Sequence, residues 1–275
     1  MAKISSEYRK LYSDRTKPYK DIINSLVQYE NRIIKEIDSR VTDRALKYLD
    51  LAEDMIYLAS NCIALNSVSE SMLIARNSAA LEEGRKALYK AVIYLEKIVS
   101  PLIDAPFSEY EELLEEIYSV SALRRYSIVK KLGLAIRLLE KGFGDNSKWK
   151  WSFVELEGRY AAVTKNIINL KTAVVNTDPR SADYEPIMRH LRLIKRLLQQ
   201  SADRYRKKFE SSTKNPEDLR MGIQFLDSLK RLHIVLGERR SVEIIKRMSE
   251  TWRMRLDGSM ETSNEETLSA VEYGT

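Results

Sequence analysis

The chain predicts an all-α fold, an elongated bundle of about seven long helices, and three observations carry that expectation. Glycine (9) and proline (6) are scarce among the 275 residues while 31% are charged, a balance suited to long solvent-facing helices rather than to sheets with many tight turns. All six prolines (Pro18, Pro101, Pro106, Pro179, Pro186, Pro216) fall close to where an apolar pattern starts or stops. Helices require this of a residue that costs about 3 kcal/mol in their interior. Finally, segment 83–111 aligns without a gap on 157–185, with nine of 29 positions identical. A repeat of this size reads as stacked supersecondary pieces that bury their apolar faces on one another.

In order, helices are expected over 19–39, 42–67, 69–103, 109–143, 148–176, 182–212 and 216–257. The first follows Pro18. The next four starts are read from Thr42-Asp43, from Ser69 before Glu70, from Ser108 before Glu109, Tyr110 and Glu111, and from the resumption of the apolar pattern at Lys148. Ser181 ahead of Asp183 and Glu185, and the run Asn215, Pro216, Glu217, Asp218, open the last two. An oxygen acceptor followed by carboxylates satisfies the free N–H groups and the positive end of a helix dipole. Ends are expected at Gly142 to Asn146 and at Asn176 to Pro179, where left-handed and turn conformations are easy.

Leu113, Leu114, Ile117, Val120 and Leu123 recur at three- and four-residue steps, and Ile187, Met188, Leu191, Ile194 and Leu197 carry a like pattern at the offset of the repeat. The repeated unit is therefore read as a helical hairpin, 83–143 and 157–212. The prolines of the two copies do not align, so the connecting loops must differ. Gly84 and Gly158 stand mid-helix at equivalent places, which suggests close helix-to-helix approach. Glu82 with Arg85, and Glu155 with Arg159, have the spacing of ion pairs. One helical domain is expected over 1–256, with any sub-division near 144–147. Residues 257–275 hold five acids and no Lys or Arg, and read as a disordered acidic tail.

The net charge of +6 is unevenly distributed. Residues 1–188 hold 28 basic and 27 acidic groups, 189–255 hold 18 and 8, and 256–275 hold none and 5. The +10 stretch contains Arg189, Arg192 and Arg196 on one helical face, and Arg204, Arg206, Lys207 and Lys208 around Tyr205 and Phe209. Farther on come Arg239, Arg240, Lys246 and Arg247. These are candidate polyanion-binding residues, with Tyr205 and Trp252 as candidate stacking platforms for unpaired bases. Two other readings of the same residues are a solvated face and a surface covered by the chain's own acidic tail.

Much chemistry is not encoded. A lone Cys62 with His190 and His233 gives no Cys/His cluster for zinc, and no Glu or Asp stands three residues before either histidine, as a di-iron bundle needs. The phosphate-cradling glycine loop is missing too. Asp50/Asp54, Glu111/Glu115 and Glu112/Glu116 have i,i+4 spacing that could present oxygens to a metal, but solvated faces give the same spacing. Nothing assembles a nucleophile, a base and an oxyanion donor. No cofactor and no small-molecule substrate are expected. The longest uncharged stretch, 55–69, is short for a membrane span, and membrane-surface contact is not expected. The lone cysteine and the start MAKISSEYRK, which lacks a signal core, set a cytoplasmic expectation. The expected function is a non-enzymatic assembly or adaptor protein whose basic C-terminal helices dock an anionic partner, by protein contact or self-association. A dedicated nucleic-acid-binding protein is the competing class, and a carboxylate-metal bundle regulator or enzyme the third.

Overall fold

A computed structural model describes residues 6–39, 43–145, 147–176 and 178–272, with side chains omitted at Leu113 and from residue 259 on. The cap residue Thr42, the turn residues Asn146 and Thr177, the Leu113 side chain and residues 273–275 thus lie outside the described residues. The helices are α1 (Ser6–Ser39), α2 (Arg44–Leu73), α3 (Ser78–Glu96), α4 (Glu111–Glu115), α5 (Ala122–Phe143), α6 (Lys150–Asn166), α7 (Leu170–Val175), α8 (Tyr184–Lys208), α9 (Pro216–Val235) and α10 (Arg239–Glu272). Among the described residues there is no strand, and the fold is the all-α bundle that the composition predicts. It divides into two compact units: Met1–Pro101 with Phe107–Asn169, and Leu102–Pro106 with Leu170–Thr275. The 144–147 loop lies inside the first unit, so the division falls after Asn169 instead.

In the first unit α1 and α2 run antiparallel, tied by Tyr8 donating to the Met72 carbonyl and by the Tyr12 and Ser69 hydroxyls 2.7 Å apart. Helix α1 begins well before Pro18 and carries it in its interior, against the expected start at residue 19. Pro18 and Asp14, whose carbonyl loses its helical donor, are both exposed, so the missing bond falls on the solvent side of the helix. The next correction is the start of α3. Ser69 lies buried inside α2 and donates to the Leu65 carbonyl at 3.0 Å. Asn77 caps α3 instead, accepting from the Ala80 N–H at 3.0 Å while its own N–H donates to Asn66 Oδ1 at 2.8 Å.

The expected helix 109–143 is interrupted. Ser121 caps α5 by accepting from the Arg124 N–H. Buried Arg125 donates to the carbonyls of Ile117 (2.7 Å), Val120 (3.1 Å) and Ile167 (3.2 Å), supplying a donor where the helical ladder is interrupted. With the helix broken there, Leu123 falls on the outside instead of continuing the apolar stripe. Helix α5 packs against α2, α3 and α6. At Gly84 a Cβ would stand 3.1 Å from both Cys62 Cβ and Leu139 Cδ1, which is the close approach expected there. Arg85 pairs with Glu82 at 2.6 Å as the spacing predicts, whereas Arg159 reaches across to Glu96 on α3 at 2.6 Å rather than to Glu155.

The second unit is built on α8, α9 and α10. Tyr205 of α8 stacks on Phe225 of α9 with centroids 5.6 Å apart, and Asp227 of α9 accepts from Ser249 at 3.2 Å and pairs with Arg253 of α10. The expected single helix 216–257 is split by a turn at Gly237, whose φ of +70° suits glycine. The 102–106 segment joins this unit through the Ile103 carbonyl, which accepts from Ser228, and through Asp104, which pairs with Arg231. The repeat is therefore divided: α3 and α5 pack together in the first unit, while the second copy places α6 in the first unit and α8 in the second. Helix α10 carries its backbone unbroken to Glu272, through most of the stretch read as disordered. That stretch holds no proline, and extending an existing helix avoids the cost of nucleation.

Candidate functional site

Helix α8 is strongly two-sided. Ile187, Leu191, Ile194, Leu198, Ala202 and Tyr205 are buried, while Glu185, Arg189, Arg192, Arg196, Gln200 and Lys207 follow at three-, four- or seven-residue steps along the exposed face. Helix α10 buries Ile245, Ser249 and Trp252 and exposes Arg239, Arg240, Ile244, Lys246, Arg247, Thr251 and Met254.

Carboxylates in this unit are mostly consumed internally. Asp203 pairs with Arg206 (3.8 Å), Asp218 with Lys208 (2.7 Å), and Glu210 with Arg255 (2.9 Å). Glu217 pairs with Arg220, Asp227 with Lys230 and Arg253, and Glu238 with Lys195 and His233. Arg189 is taken by Glu185. Burial alone would raise the Glu238 carboxyl, but hydrogen bonds from Lys195 and His233 outweigh it and hold the group below its usual range. Six of the eight acids of 189–255 are thus neutralised, leaving Glu243 and Glu250 on α10. Among the described residues Arg192, Arg196, Lys207, Arg239, Arg240, Lys246 and Arg247 make no ion pair.

Four of those cations flank one groove. Lys195 meets Glu238, Gln199 Nε2 approaches Met248 Sδ at 3.9 Å, and the Arg206 guanidinium lies 5.0 Å from the Trp252 ring. These contacts advance together along both helices, so α8 and α10 run the same way with α9 returning beside them. At about 100° per residue, Arg192 and Arg196 lie just past the side of α8 that meets α10. Arg240, Ile244, Arg247 and Thr251 lie just past the side of α10 that meets α8, turned away from α9. Both flanks therefore face the same way, giving an exposed furrow edged by four guanidinium groups around Ile244, which is 64% exposed. Desolvated between such edges, an acidic helix or extended chain would meet charge on two sides and an apolar strip at the base.

The model of the TP0443 family matches residues 8–259, which takes in both units and the whole furrow. The chain belongs to the TP0443 family. Neither the curated proteins nor the solved structures gave a significant match.

In this TP0443-family chain the remaining candidates find other places. Tyr205 and Trp252 are buried, the first stacked on Phe225 and the second packed over Gly222, so neither ring can serve as a platform for bases. Arg204 is half-buried, and Arg206 and Lys208 spend their charge inside the unit. His190 and His233 are buried. Cys62 is buried, and burial, with the Glu83 charge second, pushes its thiol up to about 12. Asp50 binds Arg124 (2.6 Å), which also takes Glu53 (2.7 Å); Asp54 is raised by burial and then by those two neighbouring carboxylates.

Two features had no signal in the sequence reading. Lys165 is buried beside the Tyr110 ring, donates to Asn166 Oδ1 at 3.1 Å, and is lowered to about 8 by burial. In the first unit a cleft of about 910 Å³ is lined by Arg76, Glu82, Phe143, Gly144, Lys148 and Trp149 among others, where the Arg85 guanidinium stands 3.8 Å from the Trp149 centroid. Arg85 is committed to Glu82, and Arg76 to the Phe143 carbonyl at 2.7 Å. A buried lysine of ordinary pattern and a cleft built from two distant stretches carry no sequence motif.

Proposed function

We propose that this chain is a non-enzymatic helical docking protein, and that the furrow between α8 and α10 holds an acidic segment of a protein partner. The observation that carries this reading is the neutralisation pattern: the second unit uses most of its carboxylates on other cations and leaves Arg192, Arg196, Arg240 and Arg247 unpaired on the two edges of one furrow. A surface whose charge served only solvation would gain as much from scattered pairs along both helices. The burial of Tyr205 and Trp252 favours an acidic protein over single-stranded nucleic acid, because base-tolerant binding draws much of its affinity from stacking.

The full chain used as bait, with and without nuclease, tests this. A partner retained after nuclease digestion and lost from the R192E/R196E/R240E/R247E variant is expected. Loss of all capture on nuclease treatment would make nucleic acid the ligand and overturn the protein-docking reading.

A further inference from the structure

Helix α10 is longer than the structure that supports it in its own unit. Gly222 of α9 lies under Trp252 and Asp227 reaches Ser249 and Arg253, so α9 descends along α10 and its first residue, Pro216, stands level with about residue 260. Beyond that level α10 continues to Glu272, about a dozen residues or roughly 18 Å at 1.5 Å per residue. A helical end of that length is marginal in water unless something packs on it. Its composition is one-sided: residues 257–272 hold Asp257, Glu261, Glu265, Glu266 and Glu272 and no Lys or Arg.

The same unit presents the complement in Arg192, Arg196, Arg240 and Arg247. Those cations lie towards the other end of α10, which begins at Arg239 beside the Lys195–Glu238 contact. Because α10 is unbroken from Arg239 to Glu272, its acidic end is carried away from its own furrow instead of turning back over it. Resting on the docking reading above, we propose that the occupant of the furrow is residues 257–272 of a second copy of this chain. The contact is heterologous, tail of one copy to furrow of the next, so each copy offers both halves and short chains of copies form as concentration rises. Charge brings the two together, which makes the contact weaken with salt.

Sedimentation of the full chain tests the proposal. At about 20 mM salt the mean mass should climb above the 31.9 kDa of one copy as concentration rises, and should return to it at about 0.5 M. E261Q/E265Q/E266Q, which keeps the furrow, and R192E/R196E/R240E/R247E, which keeps the tail, should each remain single. Mixed, they should pair one to one, an outcome that a misfolded variant could not give; the milder R240Q/R247Q should show a partial loss. A wild-type chain that stays single at low salt, or a tail-neutralised variant that associates as well as wild type, overturns the proposal. If the single wild-type chain still binds a polyglutamate peptide, the docking reading stands without it. If neither it nor its tail-neutralised form binds any, both fall. A single wild-type chain whose tail-neutralised form binds polyglutamate more tightly would place the tail on its own furrow, again overturning self-association.

Discussion

Tyr160 of α6 crosses α5 directly over Gly133 and donates its hydroxyl to the Val129 carbonyl at 2.8 Å. A Cβ at Gly133 would stand only 3.0 Å from Tyr160 Cε1 and closer still to the ring carbon and oxygen beyond it. Replacing Gly133 with Ala should therefore cost about 2 kcal/mol, the overpacking penalty less the gain in helix propensity. At Gly84, where the nearest contacts would be 3.1 Å, Ala should cost less than about 1 kcal/mol. Urea unfolding of both variants checks the order. In a Tyr160→Phe background the Gly133→Ala cost should shrink, since part of the clash is with the hydroxyl; equal costs in the two backgrounds would contradict the contact.

Lys165 makes stability depend on alkaline pH. Its folded value, about 8, lies below the usual lysine value of about 10.4, so between those limits the unfolded chain holds more protons than the folded one. Stability from this group must then rise as pH climbs from about 8 to about 10. Urea midpoints of wild type and Lys165→Met, compared at pH 7 and pH 10, isolate it: the gap should favour Met at pH 7 and narrow by pH 10. A gap that is constant with pH would contradict a buried amine whose proton is lost earlier in the folded chain than in the unfolded one.

Cys62 should resist modification. Its thiol is buried and raised to about 12, so a disulfide reagent at pH 8 should label one thiol only after the chain is unfolded. Rapid labelling of the native chain would show the α2–α3 packing around Gly84 to be open.

The helical class was legible because it depends on summed composition and period, to which every residue contributes. Boundaries depend on single competitions that a local reading misjudges. Ser69 carries the pattern of a cap, yet its hydroxyl is satisfied within α2, and Asn77 wins because Asn66 also holds its backbone. Pro18 looks like a start, but its missing bond faces water. The break before α5 is held by Arg125, whose Ile167 acceptor lies 42 residues away, beyond any window of periodicity. For the candidate site, the sequence showed the surplus of cations and the common face of Arg192 and Arg196. It could not show which cations Glu210, Asp218 and Glu238 would neutralise, since those pairs join residues that only the turns between the three helices bring together. Tyr205 and Trp252 were misplaced for the same reason: an aromatic among arginines has one pattern whether it faces solvent or a neighbouring helix.

The most direct test of the account is the affinity of the full chain for a fluorescent polyglutamate peptide, measured by anisotropy at low salt beside R192E/R196E/R240E/R247E and a control that reverses four exposed cations elsewhere, Lys10, Lys35, Lys131 and Lys150. The furrow variant should lose at least about tenfold in affinity, and wild-type binding should fall steeply with salt, while the control keeps most of its affinity. Equal losses in the two variants would contradict the account, because binding would then follow net charge and not the furrow between α8 and α10.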